Sequence, residues 1–85
     1  MTKLNDDLKN RVISHDRTAQ LELYRLCYPI LSGLSILLEK TKEEEIEFVN
    51  GTFLNVIKNL KSYNEEHDFF DWLKIFIKEN IWKQK

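Results

Sequence analysis

The chain has 85 residues and a mass of 10.3 kDa, and it is 42% hydrophobic and 32% charged with a net charge of −1. This length allows one domain, and this composition excludes a disordered chain as well as a basic coat that binds any nucleic acid. The longest apolar stretch, residues 28–38, is too short and too interrupted for a membrane span, and residues 1–10 lack the apolar core of a secretory signal. We therefore expect a single cytoplasmic domain over residues 1–85.

Apolar residues at helical spacing predict the first two helices. Leu4, Leu8 and Val12 with Ile13 indicate a short first helix, and the polar residues 14–18, which are rich in N-cap candidates, separate it from the next. A broad apolar stripe then marks a long second helix, formed by Ala19, Leu23, Leu26, Cys27, Ile30, Leu31, Leu34, Leu37 and Leu38. Pro29 lies within this stripe and should kink the helix or divide it in two.

Cys27 is the only cysteine of the chain, so it cannot form an internal disulfide. It lies on the apolar face of the second helix. A buried, small hydrophobic side chain in a reducing compartment is the expected role of such a residue.

Capping signals mark the third and fourth helices. Thr41 and Glu44 have the spacing of a capping box, so a third helix should begin there, with an inward face of Ile46, Val49, Phe53, Val56, Ile57 and Leu60. After a polar loop, Asp68 can cap a fourth helix that carries Asp71 in its first turn and buries Phe69, Trp72, Leu73, Phe76 and Ile77. Since no segment alternates polar and apolar residues, the sequence predicts an all-α, compact bundle of about four helices.

Sequence motifs of catalysis and of metal binding do not stand out. The chain has no glycine-rich phosphate loop and no His-Glu-x-x-His motif. His67 has acidic neighbours, but a solvated loop explains it better than a metal site. The acidic cluster that begins at Glu43 lies at a solvated helix start, which lacks the desolvated pocket of general acid–base catalysis. We expect no enzyme activity, cofactor, metal or small-molecule substrate.

Charge is distributed unevenly along the chain. Residues 1–42 carry a net charge of +2 and residues 43–85 carry −3. In the second half the acidic side chains come first, as Glu43, Glu44, Glu45 and Glu47, and lysines follow as Lys74, Lys78, Lys83 and Lys85. An acidic segment followed by a mildly basic one predicts two partner surfaces of different character.

Three segments together resemble region 2 of the extracytoplasmic-function (ECF) sigma factors, which belong to the bacterial sigma-70 family. They are residues 21–31 (LELYRLCYPIL), residues 47–60 (EFVNGTFLNVIKNL) and residues 62–73 (SYNEEHDFFDWL). Their order and spacing agree with the family without gaps from about Leu21 to Lys85, and the Phe-x-x-Trp-Leu piece at Phe69–Leu73 is the most specific. The resemblance implies a sigma region 2-like helical domain over residues 1–85, with the promoter-reading region 4 absent from this chain.

The resemblance also implies partners and the residues that bind them. In this family the third helix binds the clamp helices of the RNA polymerase β′ subunit, which implies a binding surface of Glu43, Glu44, Glu47, Asn50, Gly51 and Leu54. The following loop and helix bind the single-stranded minus-ten element of the promoter, which implies the DNA-binding residues Ser62, Tyr63, Asn64, His67, Lys74, Lys78, Trp82 and Lys83. Polar loop groups can read a base edge, aromatic rings can stack on bases and lysines can neutralise phosphates. An anti-sigma factor is a further partner that the resemblance allows.

Several residues depart from the family pattern and favour an alternative function. Asn50 and Gly51 stand where the family usually carries Gln and Glu, and Glu79 stands where Asn is usual. Asp71 adds a negative charge near the expected path of DNA. Asp71, Glu79 and the net charge of −1 favour a sigma-like protein-interaction module, or a decoy, that has lost DNA binding. The departures at Asn50 and Gly51 imply weaker or altered docking on the polymerase.

Overall fold

The computed structural model describes residues 3–80, which form four α-helices, one short 3-10 helix and no β-strand. The α-helices are α1 (Asp6–Ile13), α2 (Arg17–Leu37), α3 (Lys42–Asn59) and α4 (Phe69–Asn80), and the 3-10 helix, Leu60–Ser62, directly follows α3. The all-α prediction is confirmed. Within this part of the chain, none of the helices has the length and apolar character that a membrane crossing requires.

Side chains that the sequence marked as caps hold the starts of three helices. Thr41 and Glu44 form a reciprocal capping box, in which the Thr41 hydroxyl accepts from the Glu44 N–H and the Glu44 carboxylate accepts from the Thr41 N–H. The Asp16 carboxylate accepts from two N–H groups in the first turn of α2. The Asp68 carboxylate accepts from the N–H of Asp71 at 3.0 Å. These bonds satisfy N–H groups that lack partners within their own helix.

The first two helices end on residues with left-handed backbone conformation, although neither residue is glycine. His15 has φ 68° and Glu39 has φ 56°. The N–H groups of His15 and Glu39 donate to the carbonyls of Val12 and Ile36. The next N–H in each case donates to the carbonyl five residues earlier, from Asp16 to Arg11 at 3.0 Å and from Lys40 to Ser35 at 3.1 Å. This is the Schellman arrangement, which turns the chain sharply and allows α1, α2 and α3 to follow one another with short connections.

Pro29 does not divide α2, which is one helix from Arg17 to Leu37. Of the two effects expected of Pro29, a kink or a division, the division does not occur. A proline removes the hydrogen bond to the carbonyl four residues earlier, here that of Arg25. Both Pro29 and Arg25 are exposed, so water can satisfy the freed carbonyl and the helix continues.

The core lies between the four α-helices. Its buried apolar side chains come from every helix and from the segments beside them: Leu4, Val12, Ala19, Leu23, Cys27, Leu31, Val49, Val56, Leu60, Tyr63, Phe69, Leu73, Phe76 and Ile77. Cys27 is fully buried, as predicted, and desolvation raises the pKa of its thiol to about 12. It therefore acts as a small apolar side chain.

The prediction that Ile46 belongs to the inward face of α3 was wrong, because Ile46 is 61% exposed. The inward position in the first turn of α3 belongs to Glu45, whose carboxylate accepts from the Ser35 hydroxyl of α2 at 3.2 Å. Ile46 lies about 100° further around the helix. Farther along α3, Thr52 is 4% exposed, so a polar residue also occupies a core position. A reading of apolar residues alone missed both inward-facing polar residues.

Candidate functional site

The residues predicted to bind polymerase lie on one side of α3, which we call the α3 face and define as Glu43, Glu44, Glu47, Asn50, Gly51 and Leu54. All six are exposed in the structure, and Leu54 is 58% exposed. At about 100° per residue the six positions fall within an arc of about 120°. The α3 face is thus a continuous surface that faces away from the core positions Val49 and Val56.

The acidic residues at the start of α3 have different surroundings. Glu45 faces α2 through its bond from Ser35. Glu44 is held in the capping box, and its hydrogen bonds with Thr41 lower the pKa of its carboxyl. Among residues 3–80, no hydrogen bond or ion pair uses the carboxylates of Glu43 and Glu47. These two side chains are therefore the ones on the α3 face that can meet a basic partner.

Gly51 is a residue of the α3 face that internal packing does not require to be glycine. A Cβ added at Gly51 would meet no atom within 4 Å, and a glycine inside a helix costs about 1 kcal/mol relative to alanine. Its absent side chain leaves the backbone of α3 open to close approach by another chain.

The loop between α3 and α4 places three of the predicted DNA-binding residues at the surface. Ser62, Asn64 and His67 are exposed. The loop is shaped by its own hydrogen bonds, because the Asn64 side chain accepts from the Glu66 N–H at 2.9 Å and the His67 N–H donates to the Asn64 carbonyl at 3.0 Å. The exposed polar groups are therefore presented on a defined turn.

Tyr63 differs from its loop neighbours, since it is only 1% exposed and cannot offer its ring to a base. Tyr63, which the resemblance implied as a DNA-binding residue, is therefore a core residue. Its hydroxyl accepts from the Leu4 N–H at 3.1 Å and donates to the His67 carbonyl at 2.6 Å. Lys9 of α1 donates to the Tyr63 carbonyl at 2.7 Å. Tyr63 thus fixes the loop to the segment that contains α1.

Aromatic rings of the loop and of α4 pack against one another in the interior. The Tyr63 ring meets Phe69 and Trp72 edge-on, with centroids 5.5 and 5.6 Å apart. Trp72 stacks against Phe69 at 5.8 Å and against Phe76 at 5.4 Å. Such ring pairs add about 0.5–1.5 kcal/mol each beyond the area they bury. The aromatic residues of the Phe-x-x-Trp-Leu segment are thus part of the interior and its edge.

A cavity of about 250 Å³ lies beside the loop and is lined by His67, Asp68, Asp71, Trp72 and Ile75. Asp71 is exposed. Within the described part of the chain no ion pair joins it to Lys74. Residues 3–80 also contain no group of three or more His, Cys, Asp or Glu side chains placed to hold a metal ion.

The two predicted DNA-binding lysines of α4, Lys74 and Lys78, are both exposed and lie one helical turn apart. They stand at the edge of a groove of about 520 Å³. The other two residues of this set, Trp82 and Lys83, lie outside the described residues.

The groove beside Lys74 and Lys78 was not predicted from the sequence. Its remaining walls are apolar and come from α2 and α4: Pro29, Ile30, Gly33, Leu34, Leu37 and Ile77. We call it the α2–α4 groove. The signal in the sequence was the breadth of the apolar stripe on α2, which is wider than the core needs. Leu37 belongs to that stripe, yet its side chain is 77% exposed.

Comparison of the chain with protein-family models, with curated proteins and with solved structures found no match. A function for this chain therefore has to be argued from its own residues and their geometry.

Proposed function

We propose that this chain is a cytoplasmic transcription-initiation module of the ECF sigma region 2 type. In this proposal it binds the clamp helices of the RNA polymerase β′ subunit and the single-stranded minus-ten element, and it carries no enzymatic activity. The observation that carries the proposal is the α3 face, which is exposed along its whole length and lies just ahead of an exposed polar loop. The resemblance of residues 21–85 to the family supports the same function.

The chemistry of the α3 face supports a basic protein partner. Glu43 and Glu47 are one turn apart and engage no other described group, so a basic surface can pair with both. Charge complementarity of this kind steers association and sets the register of docking. Asn50 and Gly51 follow one turn later, where the open backbone permits close contact, and Leu54 supplies an apolar anchor.

The loop and α4 support the DNA-binding part of the proposal. Ser62, Asn64 and His67 present hydrogen-bonding groups that can read an unstacked base. Lys74 and Lys78 can contact phosphates. Tyr63 contributes by holding the loop rather than by stacking, because its ring is buried.

The first experiment measures binding of the full chain to an isolated β′ clamp-helix fragment. We expect micromolar or tighter binding by the wild type and at least a tenfold loss for Glu47→Lys. Glu22→Lys is the matched control, since Glu22 is an exposed helical glutamate of α2 outside the α3 face. Equal losses for the two variants, or no binding by the wild type, would contradict the proposal.

A decoy that has lost DNA binding is the alternative, and the exposed carboxylate of Asp71 is the observation that favours it. Asp71 is an exposed carboxylate at the cavity beside the loop, and its negative charge repels phosphate. The test is binding of a minus-ten oligonucleotide and a scrambled one at two salt concentrations, with wild type and Asp71→Asn. A sequence-specific, salt-dependent affinity supports the initiation module. Clamp-helix binding without any oligonucleotide binding supports the decoy.

A further inference from the structure

The α2–α4 groove exists because these two helices do not pack directly against each other. Helices in contact have axes about 8–10 Å apart, and their Cα atoms lie about 2.3 Å from each axis. Facing Cα atoms of packed helices therefore approach to well under 8 Å. Within the described residues no Cα of α4 comes within 8 Å of a Cα of α2, and the space between them is the groove of about 520 Å³.

The floor and one wall of the groove are apolar and run along α2. Pro29, Gly33 and Leu37 follow one another at four-residue spacing, and Ile30 and Leu34 form a parallel row beside them. The distance from residue 29 to residue 37 is about 12 Å along the helix axis. Gly33 lies at the middle, and a Cβ added there would meet no atom within 4 Å. The groove thus has open space where a side chain from another chain can enter.

The charges at the groove have a single sign. Lys74 and Lys78 lie on the α4 wall, and no acidic residue is among the lining residues. The stems of these lysines can cover an apolar occupant while their ammonium groups reach its edge. A complementary occupant therefore has an apolar stripe with carboxylates beside it.

We propose that the α2–α4 groove docks an amphipathic α-helix of a partner protein, whose apolar side chains enter the groove and whose Asp or Glu side chains pair with Lys74 and Lys78. Apolar anchors at positions i, i+3 or i+4, and i+7 of such a helix span about 10 Å, which matches the length of the groove. The groove is separate from the α3 face, and the proposal does not depend on sigma-like function. A helix bound there would exclude DNA from the same two lysines.

The test uses two labelled model peptides of about 18 residues with the same leucine stripe, one flanked by glutamates and the other by lysines. We expect the full chain to bind the glutamate peptide at least tenfold more tightly than the lysine peptide. Lys74→Glu combined with Lys78→Glu should abolish or reverse this preference. Lys58→Glu, at an exposed lysine of α3 outside the groove, is the matched control and should leave the preference intact.

A second variant tests the apolar part of the groove without endangering the fold. Gly33→Leu places a side chain in the open space, and it should raise the melting temperature because leucine favours helix over glycine. We expect Gly33→Leu to weaken binding of the glutamate peptide at least tenfold.

The two glycine amides report the binding site in an NMR titration, since Gly33 lies in the groove and Gly51 lies on the α3 face. The Gly33 resonance should shift and that of Gly51 should not.

Three results would overturn the proposal. Equal binding of both peptides would show that Lys74 and Lys78 do not select the peptide. Undiminished binding by Gly33→Leu would show that the peptide binds outside the groove. Sedimentation that shows a dimer in the wild type, lost in the double lysine variant, would assign the groove to a second copy of this chain instead.

Discussion

Replacing Tyr63 with Phe removes one hydroxyl that joins two parts of the chain 59 positions apart. The variant loses the bond from the Leu4 N–H at 3.1 Å and the bond to the His67 carbonyl at 2.6 Å. Leu4 is 1% exposed, so water cannot readily replace the partner of its N–H. A buried N–H without a partner costs about 1–3 kcal/mol. The His67 carbonyl belongs to an exposed residue, so the loss of its hydrogen bond costs only the net value of one bond, about 0.5–1.5 kcal/mol.

We therefore expect Tyr63→Phe to lower the free energy of unfolding by about 2 kcal/mol. For a domain of this size that loss corresponds to a drop in melting temperature of roughly 8–16 °C. Urea denaturation followed by circular dichroism measures the change, and faster amide exchange at Leu4 locates it. Tyr28→Phe is the matched control, because Tyr28 is 42% exposed and its change should stay within about 0.5 kcal/mol. Equal effects of the two substitutions would refute the reasoning.

Three further predictions concern the helix ends and the buried thiol. His15→Gly and Glu39→Gly should each stabilise the protein by about 0.5–1 kcal/mol in thermal unfolding, because both positions have positive φ; destabilisation by either would contradict this. Cys27 should react with a thiol reagent only after denaturation, since burial raises its pKa to about 12, and rapid labelling of the native chain would disprove it. Hydrogen bonds from the backbone and from a side chain lower the pKa of Asp16 from its ordinary value of 3.8. The ionised Asp16 therefore stabilises the fold above pH 3.8, and this stabilisation is lost as the pH falls through the lower pKa of the folded state. Asp16→Asn should therefore show a smaller fall in melting temperature on acidification than the wild type, and an unchanged fall would count against this linkage.

The helices were predictable because their signals are local. The Thr41–Glu44 capping box and the Asp68 cap depend on residues within one turn of each other, and both form as expected. The apolar periodicity of α2 likewise needs only the helical repeat. The sequence left open whether Pro29 would kink or divide α2, because the outcome depends on whether the freed carbonyl reaches solvent.

The candidate surfaces were predictable in part. The resemblance implied that Glu43, Glu47, Asn50 and Leu54 share one surface of the third helix, and all four are exposed. The burial of Tyr63 was not predictable, because the groups that satisfy its hydroxyl include one from the other end of the chain. The inward position of Glu45 was missed for a similar reason, since its partner Ser35 belongs to another helix.

The sequence by itself determined that this protein is all-α and where most of its helices begin. These properties follow from hydrogen bonds and periodicities that extend over a few residues. Only the tertiary structure decided that Tyr63 is a core residue and that α2 and α4 stand apart to form a groove. Both depend on how far apart whole helices lie, and that distance is set by the sum of packing contacts among residues distant in the chain.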